Sequence, residues 1–108
     1  MNRIVFSEAA RDDRRAITNY TIEHFGLDQA RRLRDAFERT LATIAETPSI
    51  GRTSQELDPP GRTLRSFVLM KRFIIVYEVR DEVIHVARLL HGARNLAAEL
   101  DREAGNDD

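Results

Sequence analysis

The chain has 108 residues, no cysteine, three histidines and a formal net charge of −1, from 17 basic and 18 acidic residues. The length suits one domain with its own core, and the missing cysteine excludes a disulfide framework, a thiolate metal site and a thiol nucleophile. A near-neutral balance argues against affinity built on neutralising phosphates, although acids gathered near the end ("AELDREAGNDD") leave room for a local basic patch.

"RIVF", Arg3 to Phe6, reads as a short strand. Ser7 then caps a helix by accepting from a free amide of the first turn, and Glu8 suits the positive end of the helix dipole. Ala10, Ile17, Tyr20 and His24 repeat at helical spacing, with Asp13 and Arg14 interrupting the stripe. Gly26 stops this helix after about His24. Asp28 is expected to cap a second helix, whose Ala30, Leu33, Phe37, Leu41 and Ile44 give the cleanest amphipathic pattern in the chain. Pro48 ends it, because the residue before a proline avoids helical geometry. So short a turn between two helices predicts an antiparallel hairpin.

"PSIGRTSQELDPPGR", residues 48–62, reads as one long irregular loop rich in proline and glycine. Three strands follow: "TLRSFVL" over 63–69, "FIIVYEV" over 73–79 and "VIHVARLLH" over 83–91. The short connections make them an antiparallel meander, and the middle strand is apolar on both faces, as a central strand should be. Gly92 supplies a backbone angle that other residues resist, and "ARNLAAELDREA" reads as a short C-terminal helix. The expectation is an α+β fold: N-terminal strand, antiparallel helical hairpin, three-stranded antiparallel meander, short C-terminal helix. Residues 1–104 form a single domain on this reading, and 105–108 a frayed tail.

His24, His85 and His91 show no metal-ligand spacing, and no apolar window approaches the length needed to span a bilayer. The charged N-terminus does not read as a secretory signal, so a cytoplasmic protein with no cofactor and no metal is expected.

"LRSF", "IVYEV" and "RLLHGARN", together with the Pro-x-Ile-Gly-Arg turn at Pro48 to Arg52, resemble a ParE toxin of the RelE/ParE superfamily of toxin–antitoxin modules. The resemblance runs from Arg3 to about Leu96. It implies two alternative mechanisms. RelE-like members are ribosome-dependent messenger RNA endoribonucleases, whereas ParE-like members poison DNA gyrase by binding it. Both are silenced by an antitoxin, here ParD-like, in a hetero-oligomer. A third reading keeps the fold as a non-toxic partner-binding member.

RNA cleavage through a 2′-hydroxyl needs a base, an acid and cations. Arg65 and Arg88 are the candidate cations and His91 the candidate acid or base. Tyr77 sits among core residues. RelE-like enzymes usually add a lysine- and arginine-rich surface, and several have a polar aromatic near the chain end, but this chain has one lysine, Lys71, and no tyrosine after His91. The expectation is therefore a gyrase-binding toxin with no catalytic residue of its own, no membrane contact and no direct sequence-specific DNA binding. Arg31, Arg34, Arg65, Arg88, His91 and Arg94 are its candidate partner-binding residues. Each has a plainer alternative: Arg65 and Arg88 as structural anchors, His91 as a strand-end hydrogen-bonding residue, Arg31, Arg34 and Arg94 as solvated surface.

Overall fold

A computed structural model describes residues 2–53 and 60–92. Strand β1 (Arg3–Phe6) leads into helix α1 (Glu8–Phe25) and helix α2 (Leu27–Glu46), then a 3-10 turn (Pro48–Ile50), β2 (Arg52–Thr53), β3 (Arg65–Leu69), β4 (Phe73–Arg80) and β5 (Val83–His91). The sheet order is β1-β5-β4-β3-β2, with β1 parallel to β5 and the other pairs antiparallel. The α+β reading with its helical hairpin and meander holds. The expected C-terminal helix and frayed tail lie outside the described residues.

Three local expectations need correction. Asp28 does not cap α2. Gly26 occupies the cap position with φ +90° and no side-chain bond, and Asp28 falls inside the first turn, pairing with Arg31 at 3.2 Å. The segment after Pro48 is not wholly irregular, because Arg52 and Thr53 pair with Ser66 and Arg65. β3 starts at Arg65 rather than at residue 63. Ser7, by contrast, caps α1 as read, its hydroxyl accepting from the Ala10 amide at 3.0 Å.

The helices cover one face of the sheet. Ala10 and Ile17 of α1 and Phe37, Leu41, Ile44 and Ala45 of α2 pack with Leu69, Phe73, Ile75, Tyr77, Ile84, Val86 and Leu89. Alternation sends Ile74 and Val76 to the opposite face, where they join Leu64, Ala87 and Leu90 in a second buried cluster. β4 is thus buried on both sides from Phe73 to Glu78.

Two features of β5 position the site. β1 accompanies it only from Val83 to Val86. Beyond that point α1 takes over the edge: the Ser7 amide donates to the Val86 carbonyl at 3.0 Å, the Ser7 hydroxyl donates to the Ala87 carbonyl at 2.8 Å, and the Leu89 amide donates to Asp13 Oδ2 at 2.9 Å. Second, Val76 pairs with Arg88 while Tyr77 pairs with Val86, so Ala87 is an extra, bulged residue. The bulge resets the alternation, and Leu89 rather than Arg88 joins the helix-side core.

Candidate partner-binding site

Arg65 and Arg88, the two cations proposed for chemistry, are engaged by the fold. Arg88 Nε and Nη2 donate to the two oxygens of Asp13 at 2.7 and 3.0 Å, with only 14% and 17% of the two side chains exposed. Asp13 also takes the Leu89 amide, so one carboxylate serves three donors and ties α1 to β5. Asp13 breaks the apolar stripe of α1 for this reason. Arg65 Nη1 donates to the Gly51 carbonyl at 2.8 Å and the Ser49 carbonyl at 3.1 Å. Beside it, the wholly buried Tyr77 hydroxyl donates to the Pro48 carbonyl at 2.7 Å and accepts from the Gly51 amide at 2.9 Å. Burial raises the Tyr77 phenol pKa above 10.0, against smaller opposing effects of the Gly51 amide and the Arg65 charge. Gly51 is required here by close approach, since a Cβ would meet the Tyr77 hydroxyl at 2.6 Å. The Pro-x-Ile-Gly-Arg turn is thereby latched to the sheet.

His91 lies elsewhere. It is exposed, stacks on Phe73 at 4.9 Å between ring centroids and meets the edge of Tyr20 at 5.8 Å. Tyr20 stacks in turn on His24 at 4.2 Å, with Phe25 alongside. Arg88 and His91 pair with Val76 and Phe73 of β4, three residues apart, a separation of about 10 Å along the strand. Among the described residues, Arg65 bonds to the turn at Ser49 and Gly51, Arg88 to Asp13, and His91 packs on aromatic rings, so the three candidates have separate partners. Arg94 lies outside the described residues.

Arg31 and Arg34 are brought to a different place. Between α1, α2 and the sheet lies a cavity of about 320 Å³, floored by Leu69, Phe73 and Leu89, walled by Ile17, Leu33 and Phe37, and edged by Arg14, Arg31 and Arg34. A second hollow of about 100 Å³ shares Leu33 and Phe73 and adds Tyr20, Phe25, Met70, Arg72 and His91. A third, between α2 and β3, includes Ala36, Arg39, Thr43 and Phe67 to Met70. Among the described residues, five arginines and no carboxylate line the three, although the chain as a whole carries a net charge of −1. Exposed apolar groups run along the same surface: Tyr20, Ile22, Phe25, Leu27, Val68 and Met70. Since β2 pairs only with Arg65 and Ser66, the outer edge of β3 from Phe67 to Leu69 has no strand beside it among the described residues. An apolar groove rimmed by cations beside an open strand edge can take an acidic amphipathic helix and an added strand.

The sequence reading passed over one cluster. Glu78 is 3% exposed, on the sheet face away from the helices. Arg62 Nε donates to its Oε1 at 2.6 Å and Arg80 Nε lies 2.9 Å from Oε2. The signal was a lone acid in an otherwise apolar strand, which demands paired cations once buried. Among the described residues no group of three or more histidine, aspartate or glutamate side chains is placed to hold a metal. No helix of the described chain is long and apolar enough to cross a membrane.

Comparisons with known proteins agree with this architecture. The family model described as the ParE toxin of type II toxin–antitoxin system, parDE, matches residues 4–96. The protein named Toxin RelE2 of Caulobacter vibrioides is 31% identical over 94 residues, covering 87% of this chain and 99% of that relative. Among solved structures, the chromosomal ParDE TA system from P. aeruginosa superposes with a TM-score of 0.69 at 17% identity, over 86% of this chain and 98% of the other. The isolated E. coli RelE toxin gives 0.56 at 20% identity, over 92% and 93%. The structural likenesses, at such identities, show the fold. The family match spans most of the chain, and by it this protein belongs to the ParE toxin family of type II toxin–antitoxin systems.

Proposed function

We propose that this toxin acts in the cytoplasm by binding and poisoning DNA gyrase, without chemistry of its own, and that a ParD-like antitoxin silences it in a hetero-oligomer. The observation that carries this reading is the engagement of the three residues a nuclease would need. Arg88 is sequestered by Asp13. Arg65 is spent on the Ser49 and Gly51 carbonyls. His91 stacks on Phe73 and meets Tyr20 edge-on, away from both arginines. The antitoxin's neutralising segment is best accommodated by the arginine-rimmed groove over α1 and α2 and by the open edge of β3.

The names of the RelE relatives favour a second reading, a ribosome-dependent endoribonuclease. It requires Arg65, Arg88 and His91 to leave their present partners and converge. A paired assay on antitoxin-free protein separates the two. Gyrase supercoiling, with a gel readout for cleaved plasmid, is run beside messenger RNA cleavage on translating ribosomes. Inhibited gyrase or trapped cleavage with intact message is the expected result. Cuts at codon positions with unaffected gyrase would replace this reading with the nuclease one.

A further inference from the structure

The 320 Å³ cavity between the helical hairpin and the sheet has the chemistry of a small-ligand site. We propose that it binds an amphiphilic anion, a medium-chain carboxylate whose tail fills the cavity and whose head group meets Arg31 and Arg34.

Three observations lead there. The interior is mostly apolar, with Ile17 from α1, Leu33 and Phe37 from α2, Leu69, Phe73 and Leu89 from the sheet, and Thr18 of α1 as a polar group. Its volume corresponds to roughly ten water-sized groups and falls in the range of small-molecule sites. A chain of about ten carbons matches that volume.

The rim, thirdly, presents arginines whose paired acids stand outside the cavity lining. Arg14, Arg31 and Arg34 line the cavity and no carboxylate does, among the described residues. Arg14 is held in place, its guanidinium 4.6 Å from the Phe37 ring centroid and 2.9 Å from Glu38. Arg31 and Arg34 are held weakly. Their partners Asp28 and Asp35, at 3.2 and 3.3 Å, are 87% and 56% exposed. Exposed pairs of this kind contribute little, so both guanidinium groups can turn to a head group at the mouth. A neutral ligand gains only the tail contacts, and a cationic one is repelled. Such a ligand also shares Arg31 and Arg34 with the groove proposed for the antitoxin and would compete with it. That consequence rests on the antitoxin reading; the binding itself does not.

The test compares decanoate, decanol and decyltrimethylammonium, each below its micellar concentration, by thermal unfolding of the full chain. A ligand that binds the native state raises Tm with concentration. Decanoate is expected to raise it most, decanol less, and the cation not at all. Two variants locate the effect. Ala30→Trp fills the cavity from a lining position and should abolish the decanoate shift. Arg31→Glu with Arg34→Glu replaces two attractions by two repulsions and should weaken decanoate severalfold while leaving decanol unchanged. Should Ala30→Trp fail to fold, the charge variant decides alone. Equal shifts by all three amphiphiles, a decanoate shift that survives the variants, or a lowered Tm would overturn the proposal. So would no decanoate shift together with antitoxin binding weakened by Ala30→Trp, which would give the cavity to antitoxin side chains.

Discussion

Arginines on the sheet and arginines on the helical hairpin live in different physical regimes. Arg88 makes a two-pronged, mostly buried contact with Asp13, and Arg65 binds two backbone carbonyls of the turn it latches. Arg31 and Arg34 are more than half exposed, and their acids are close neighbours in sequence on the same helix. The first pair holds the fold together at contacts spanning 75 and 14 residues of chain. The second pair leaves its charge available at the rim of an apolar groove. The same residue type is structural where burial and geometry fix its partner, and stays available to other partners where water can take that partner's place.

The contrast can be broken most forcefully at Arg88. Arg88→Ala leaves Asp13 without its cation in a mostly buried place and should lower unfolding free energy by about 3 kcal/mol, read from urea unfolding. Gly51→Ala comes next. Its Cβ would lie 2.6 Å from the Tyr77 hydroxyl, and displacing that buried phenol should cost about 2 kcal/mol. Tyr77→Phe removes two hydrogen bonds and little volume, leaving the Pro48 carbonyl and Gly51 amide without that partner, for a loss of roughly 1 to 2 kcal/mol.

Tyr77 also sets a pH dependence. Its folded pKa is raised above 10.0 by burial. Below pH 10 the phenol is neutral in both states and its contribution is whole. As pH rises beyond 10, the unfolded phenol ionises first, so stability falls until the folded pKa is passed. Tyr77→Phe should flatten that alkaline limb of a stability–pH curve.

Glu82→Gly sharpens the picture at smaller scale. Asp81 and Glu82 both have positive φ, at 55° and 63°, in the two-residue turn between β4 and β5. Relieving the left-handed strain at Glu82 should stabilise by about 1 kcal/mol. Smallest of all, Arg31→Ala and Arg34→Ala should shift stability by no more than about 0.5 kcal/mol while weakening antitoxin binding in a titration.

Local patterns were readable where chemistry and contact are close in sequence. The stripe from Ala30 to Ile44, the Ser7 cap, the stop at Gly26 and the bounds of β5 follow from spacing alone. Asp28 misled because a capping side chain and a first-turn acid look alike in sequence; Gly26 had already taken the cap position. The place of β1 depends on parallel pairing with β5, about eighty residues later, and no local pattern encodes that. The same holds for the site. Asp13 was visible as a flaw in an apolar stripe, but its partner Arg88 is 75 residues away. His91 was visible as a strand end, but its neighbour Tyr20 comes from α1. The groove arises only once α1, α2 and β3 are brought together, so Arg31 and Arg34 could be named from the basic run but not placed.

The central claim is that Arg88 belongs to the fold and not to a reaction. Its most direct test is a double-mutant cycle of Asp13→Ala and Arg88→Ala, measured by equilibrium unfolding. The account predicts strong coupling, on the order of 2 kcal/mol, with the double variant losing far less than the sum of the singles. Near-zero coupling in variants of unchanged stability, with toxicity lost only when Arg88 is replaced, would contradict it and return Arg88 to the chemistry.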